Sequence, residues 1–459
     1  MRDLLITLIV LWILFKAVKR PAIGVLGWVW ISVMNPHRLA WGFAYDFPFA
    51  MMMAAVTMLG LVVTRDKRQF PVTPATVTLI LFIFWMNITS LFAINFDQIY
   101  PMWSRVMKIL FMTLVAMTVL NTKQHIRWLV WTLVVSLGYY GVKGGAFTLA
   151  TGGGYTVWGP SGSYIEENNS LALATIMLIP LLRYLQLTEE NAWIRRGLVL
   201  AMGLCAVSAI GSYSRGAFLA IVSMSVFLWA KSPRKLPLAL LMIILIPFVV
   251  TFMPQKWEDR MHTIQTYQQD SSALGRLNAW GMAWNLALDR PLVGGGFEIY
   301  DKEVFARYAT DPKNVHAAHS IYFQILGEHG FVGLFLFMAI GFFTWRSGSW
   351  IIRETRGKPD LLWANTLAKM LQVSQIAYAT GGAFLSLAYF DLPYYVVVLM
   401  EVTKLYLKNQ QEAQSRVVSS QRPGPRVIRP AELSVIQREG QSFCDLSASS
   451  GGWNSSNDR

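Results

Sequence analysis

Apolar runs of roughly 15–25 residues recur along the whole chain with short polar loops between them. That length is what a helix needs to cross a bilayer core. The runs fall at about 3–16, 21–34, 47–64, 74–94, 104–121, 126–150, 168–187, 194–212, 214–230, 236–253, 320–345, 363–388 and 391–407. The pattern predicts an all-α, polytopic integral membrane protein of about 12–13 transmembrane helices. It is interrupted once by a long polar excursion. The organisation is therefore an N-terminal transmembrane bundle (1–253), a polar loop (254–319), C-terminal transmembrane helices (320–407) and a tail (408–459).

Inside the long loop, Leu277, Trp280, Trp284 and Leu288 recur at helical spacing. They predict an amphipathic helix at the membrane surface, with Ser271 or Ser272 as its N-cap. The tail contains QRPGPRVIRP and SASSGGWNSSND, rich in Pro, Gly and Ser and without apolar period, so it is expected to be disordered.

Composition agrees with a membrane class: of 459 residues, 54% are hydrophobic and 14% charged, with a mean hydropathy of +0.40. The formal net charge of +14 is not that of a nucleic-acid binder, because no basic face with interleaved aromatics lies outside the helices. The cations instead alternate between loops. One set carries Lys16, Lys19 and Arg20, then Arg65, Lys67 and Arg68, then Lys123 and Arg127, then Arg183, Arg195 and Arg196. It continues with Lys231, Arg234 and Lys235, then Arg346, Arg353, Arg356 and Lys358, then Lys404 and Lys408. This set reads as cytoplasmic, which puts the N-terminus, the loop at 151–168 and the long loop on the far side, and the C-terminus in the cytoplasm. Cys205 and Cys444 form no CxxC, so neither a disulfide framework nor a thiolate metal site is expected. The first run lacks the basic stretch and small-residue site of a cleavable signal.

Several polar residues sit where a span meets its far-side loop. His37 and Arg38 belong to an interfacial turn rich in aromatics. Arg105 and Lys108, one turn apart after Pro101, either snorkel to the interface or face an anion. Lys143, before Gly144 and Gly145, poses the same alternatives. Glu166 and Glu167 are exposed acids of a turn-rich loop, or they orient a hydroxyl nucleophile. Arg215 opens a span, where the helix dipole disfavours a cation without a nearby anion. A guanidinium there suits a phosphate. Arg276, in the first turn of the amphipathic helix, repeats the arrangement. The glycines at 294–296 either end that helix or let backbone approach a ligand. His316 and His319, three apart, are a weak metal pair. His319 alone, where the chain turns apolar again, suits general-base work.

His319, Ser320, nine residues, Gly330, two residues and Gly333 reproduce the H-[NSQ]-x9-G-x-x-G signature of bacterial O-antigen ligases, and Arg215 with Leu219 matches their R-x3-L element. The chain therefore resembles the O-antigen ligase and polymerase superfamily over about residues 1–407. MNPHRLAWGFA and VWGPSGSYIEENNSLAL look like the O-glycosylation ligases associated with exosortase A systems. The resemblance implies a GT-C-like fold in the bacterial inner membrane. It implies transfer of a glycan from undecaprenyl diphosphate to a hydroxyl of a lipid or protein acceptor at the periplasmic face. His319 is then the base, and Arg215 and Arg276 hold the diphosphate. Arg105, Lys108, Lys143, Glu166 and Glu167 are candidate donor or acceptor contacts, and Ser320, Gly330, Gly333 and Leu219 are structural. The expected transfer is inverting and needs no metal or cofactor, since a diphosphate already leaves well once its charge is offset. Two other readings stand beside it. One is a polymerase joining lipid-linked repeats. The other is a polyprenyl-glycan transporter, which should show ionisable residues deep in the bilayer or paired broken helices.

Overall fold

Local signals set where the helices begin. Thr73 caps α4 through a reciprocal capping box with Thr76, and Pro74 occupies its first turn. Thr122 accepts the His125 N–H to start α6, and Asn191 accepts those of Trp193 and Ile194 to start α8. In the computed structural model, residues 1–66, 68–231, 235–236, 240, 253–255 and 271–421 are described. The helices of this region are α1 (Arg2–Lys19), α2 (Pro21–Met34), α3 (Phe49–Val63), α4 (Pro74–Leu91), α5 (Tyr100–Val119), α6 (Lys123–Ala150) and α7 (Asn168–Thr188). They continue with α8 (Ala192–Ile210), α9 (Arg215–Lys231), α10 (Ser271–Asp289), α11 (Lys302–Tyr308), α12 (Ile321–Glu354), α13 (Leu362–Gly381) and α14 (Asp391–Gln421). There is no strand among the described residues.

The protein is an all-α polytopic membrane protein. Twelve of the thirteen apolar runs coincide with a described helix, and the run at 236–253 lies almost wholly outside the described residues. Among these helices α4, α5, α7, α8 and α12 are long and apolar enough to cross a bilayer, and α2 and α3 are shorter apolar helices. Large apolar side chains lie exposed along them, among them Trp12, Phe84 and Phe335, as lipid-facing surface requires.

The bundle is stitched by small residues. Gly144 lies against the Ser208 hydroxyl and Gly145 against the Leu204 backbone, so α6 and α8 meet without intervening side chains. The glycines after Lys143 thus serve packing. Further contacts pair α7 with α8 and α13, α4 with α12, α9 with α13, and α10 with α12.

The chain divides into two units, Met1–Leu407 and Lys408–Arg459. Disorder was expected from 408, yet helix continues to Gln421. The stretch KNQQEAQSR consists largely of good helix formers, and no proline or glycine intervenes before Pro423. Glu412 and Arg416 pair one turn apart at 3.9 Å. The rest of the tail, including Cys444, lies outside the described residues.

Candidate functional site

The amphipathic helix of the long loop exists as α10, and it presents two different faces. Leu274, Leu277, Trp284 and Leu288 are exposed, while Gly275, Ala279, Met282, Ala283 and Leu286 are buried. Of the large apolar residues that predicted the helix, Leu277, Trp284 and Leu288 therefore face outward while Trp280 turns inward, and the small residues of the helix pack on α12.

Polar groups of α10 then lay the returning chain along the helix. The Asn278 amide donates to the carbonyls of Asp311 (2.8 Å) and Asn314 (3.0 Å) and accepts the Asp311 N–H at 2.9 Å. The Trp280 indole donates to the Ala318 carbonyl at 2.6 Å and stacks on Phe323 at 5.0 Å between ring centroids. The His316 ring lies directly over Gly275. His319 follows with φ of 44°, a left-handed conformation costing about 1–3 kcal/mol in a non-glycine residue. Its N–H donates to the Ser386 hydroxyl at 2.9 Å.

His319 is half-buried, and its Nδ1 is buried with no hydrogen-bond partner. Burial holds the imidazole down to about 4, and the neighbouring charges of Arg276 and His316 act in the same direction. The ring is therefore a free base at neutral pH, beside a guanidinium. Arg276 and His319, forty-three positions apart, lie close enough for the guanidinium charge to act on the imidazole. No group of three or more His, Cys, Asp or Glu side chains is placed to hold a metal ion among the described residues.

Arg215 reaches the same region indirectly. Ser214 caps α9, its hydroxyl accepting the Ala217 N–H at 3.1 Å, so Arg215 stands at the helix N-terminus. Tyr213 before it is left-handed, with φ of 60°. Gly216 abuts Phe384, and the Phe384 ring lies 6.5 Å from Trp280. The segment 382–386, which holds the His319 backbone, thus runs between the start of α9 and α10. Leu219 is half-buried in α9, and Ser320 is buried at the N-cap of α12 without a side-chain cap bond.

The signature glycines break α12. Gly330 has φ of 68° and ψ of −171° within an otherwise helical run. A Cβ there would lie 2.4 Å from the Leu292 carbonyl oxygen. At Gly333 a Cβ would lie 2.3 Å from the His329 Cβ. The carbonyls freed by the break are taken up by the glycine loop: the N–H groups of Gly295 and Gly296 donate to Gly327 and Glu328, each at 2.8 Å. The Phe331 N–H donates to Pro291 at 2.9 Å. The 294–296 glycines therefore approach backbone, in a lock that fixes the direction of residues 321–329.

Below the break lies a buried polar chain that sequence reading missed. His329 bonds Thr89 through Nδ1 and the Tyr389 hydroxyl through Nε2, both at 2.7 Å, and Tyr389 also donates to Glu328. Its signal was the pair Glu328–His329 inside an apolar run, since intramembrane ionisable residues rarely lack a role. These features bear on the transporter reading, which predicts deep ionisable residues or paired broken helices. The described residues contain one helix broken in this way and a buried carboxylate, though not a pair of broken helices.

The remaining candidates are dispersed. Glu166 accepts the Gly162 N–H at 2.7 Å and the Ser161 hydroxyl at 3.1 Å, closing its own turn. Glu167 is exposed just ahead of α7. Lys143 lines a cavity with Trp158 and Pro160. Arg105 and Lys108 line a separate cavity with mixed polar and apolar walls.

Residues 200–338 match the family model described as O-antigen ligase, and residues 1–190 match a family of unknown function (DUF5935). No curated protein matches the chain. The O-antigen ligase match spans Arg215, Arg276, His319, Gly330 and Gly333 and stops short of Ser386 and Tyr389. It supports membership of the O-antigen ligase superfamily, and with it a membrane glycosyltransferase of the ligase or polymerase kind that uses a lipid-linked glycan donor.

Proposed function

We propose that this protein transfers a glycan from undecaprenyl diphosphate to an acceptor hydroxyl at the periplasmic face of the bacterial inner membrane. The observation that carries the reading is the free-base His319, with its partnerless buried Nδ1, beside Arg276. His319 takes the proton of the acceptor hydroxyl as the oxygen attacks the anomeric carbon. The bond from that carbon to the diphosphate oxygen breaks, and its electron pair leaves with the diphosphate. Arg215 and Arg276 offset the charge that develops there. One direct displacement inverts the anomeric centre and requires neither a metal nor a covalent intermediate. A largely apolar cavity of about 320 Å³, lined by Ile321, Tyr322 and Tyr378 and by Phe337 and Trp345 further along α12, starts two residues after His319. It suits the first isoprene units of the donor. The resemblance to exosortase-associated ligases adds a protein or lipid as the acceptor rather than a second donor.

The test is purified protein in nanodiscs with lipid-linked glycan and candidate acceptors, read by mass spectrometry. His319→Ala and His319→Gln should each lower transfer from bound donor by roughly 10²–10⁴-fold, the usual size of a general-base contribution. Donor affinity should change little. If donor affinity collapses while transfer from bound donor stays normal, His319 is a diphosphate ligand and the assignment is wrong.

A further inference from the structure

A second cavity, of about 410 Å³, opens where α2 ends and α5 begins, near the segment leading into α14, and none of Arg215, Arg276 and His319 lines it. Three cations converge on it. Arg38 comes from the turn after α2, and Arg105 and Lys108 come from α5. Like charges gathered around one hollow repel unless anions intervene. Acids of the protein meet two of these cations. Asp46 pairs with Arg38 at 3.0 Å. Asp391, buried in the wall, accepts the Ser32 hydroxyl and lies close enough to Arg105 for their charges to interact. Lys108 has no ion pair or hydrogen bond among the described residues. His37 adds no charge, because burial and Arg38 hold its imidazole down to about 4. Its Nδ1 is buried without a partner.

The deeper lining is of another kind. Trp28 and Ile31 lie one to two turns before the end of α2, roughly 5–10 Å further in, and Ile109 follows Lys108 on α5. A hollow with an unmatched cation above and apolar walls below fits an amphiphile with a phosphate head. Snorkelling alone would carry Lys108 away from the hollow to the lipid interface.

We propose that this cavity binds the phosphate of the acceptor, which makes the acceptor a phosphate-bearing lipid rather than a protein. The proposal rests on the glycan-transfer reading above for the word acceptor. The link between the two sites is the segment 386–391, whose Ser386 hydroxyl holds the His319 N–H and whose Asp391 stands in the cavity wall. An occupant of the cavity therefore sits at one end of a six-residue segment that has the proposed base at the other.

The test uses the full chain in phosphatidylcholine nanodiscs and measures binding of short-chain phosphatidic acid, the matching diacylglycerol, inorganic phosphate and farnesyl diphosphate. Phosphatidic acid should bind the wild type more tightly than either diacylglycerol or inorganic phosphate. Lys108→Gln, which breaks no described contact, should weaken it about tenfold, the loss expected for one charge-assisted hydrogen bond. Arg105→Gln/Lys108→Gln should weaken it further, and Arg276→Gln should leave it within about twofold, a change of under 0.5 kcal/mol. Unchanged affinity in both cavity variants overturns the proposal. Inorganic phosphate binding as tightly as the lipid would make the source free phosphate and overturn it as well. Equal loss in Arg276→Gln would merge the cavity with the donor site. Farnesyl diphosphate binding to Arg276→Gln reports on the donor reading alone, so the two failures are told apart.

Discussion

A histidine accepts a proton only while it is unprotonated, and its surroundings decide over what pH range that holds. His319 is depressed to about 4, first by burial and then by Arg276 and His316. Its unfolded value is about 6.5. A folded-state pKa below the unfolded one means that the unfolded chain binds the proton more readily. The stability His319 contributes is thus complete above about pH 6.5 and is lost as pH falls toward 4. For catalysis the free enzyme already holds a base at neutral pH. A bound diphosphate brings negative charge beside Arg276 and should raise the imidazole again. We predict that kcat/KM, which reports the free enzyme, stays flat from about pH 5.5 to 8, while kcat falls at a higher pH on its acid side. Coincident acid limbs near 6.5 would show that the buried, arginine-flanked environment does not govern this residue. His319 was legible in the sequence because it stands where the chain turns apolar again, and Arg276 because it stands in the first turn of a helix that the spacing predicts. Ser386 was not, because a serine in a short loop carries no pattern.

Helix α12 illustrates what periodicity conceals. Its apolar run continues across residues 320–345, so length and hydropathy suggest one straight span, whereas the backbone turns at Gly330. The spacing of Gly330 and Gly333 was visible, and their physical demands were not. Gly330 supplies a positive φ beside the Leu292 carbonyl, and Gly333 leaves room for His329. Gly341, farther along the same helix, has no atom within 4 Å of a built Cβ. Gly330→Ala should therefore destabilise by more than about 1–3 kcal/mol, the strain of a positive φ with a clash added. Gly341→Ala should be neutral or stabilise by up to about 1 kcal/mol. Thermal unfolding of the detergent-solubilised variants measures both. Equal melting temperatures would mean that the break is not needed for the fold. The packing face of α10 was not legible for a related reason. Large apolar residues announce a helix, but close packing on a neighbour is done here by Gly275, Ala279 and Ala283, which carry almost no hydropathic signal.

At the scale of the molecule the open issue is which side of the bilayer the site faces, and the loops supply the argument. The Tyr213 hydroxyl donates to the Gly153 carbonyl, and a Cβ on Gly153 would lie 3.1 Å from Pro254. The ends of α6 and α8 and the approach to the long loop therefore gather at one end, with Arg215 beside them. The opposite ends of the same helices meet through Arg127 and Glu189, paired at 2.8 Å. Between these ends α6 runs for 28 residues, about 42 Å at 1.5 Å per residue and enough to cross a bilayer. Lys123, Arg127, Arg183, Arg195 and Arg196 gather at the second end, and the first is poor in loop cations. Since cationic loops stay cytoplasmic, alkaline phosphatase fused after Gly152 or Glu303 should be active, and fused after Glu190 or Gly357 inactive. An active fusion at Glu190 together with an inactive one at Gly152 would invert the molecule. It would put His319 and both arginines in the cytoplasm, out of reach of a periplasmic donor, and the proposed transfer would fall with it.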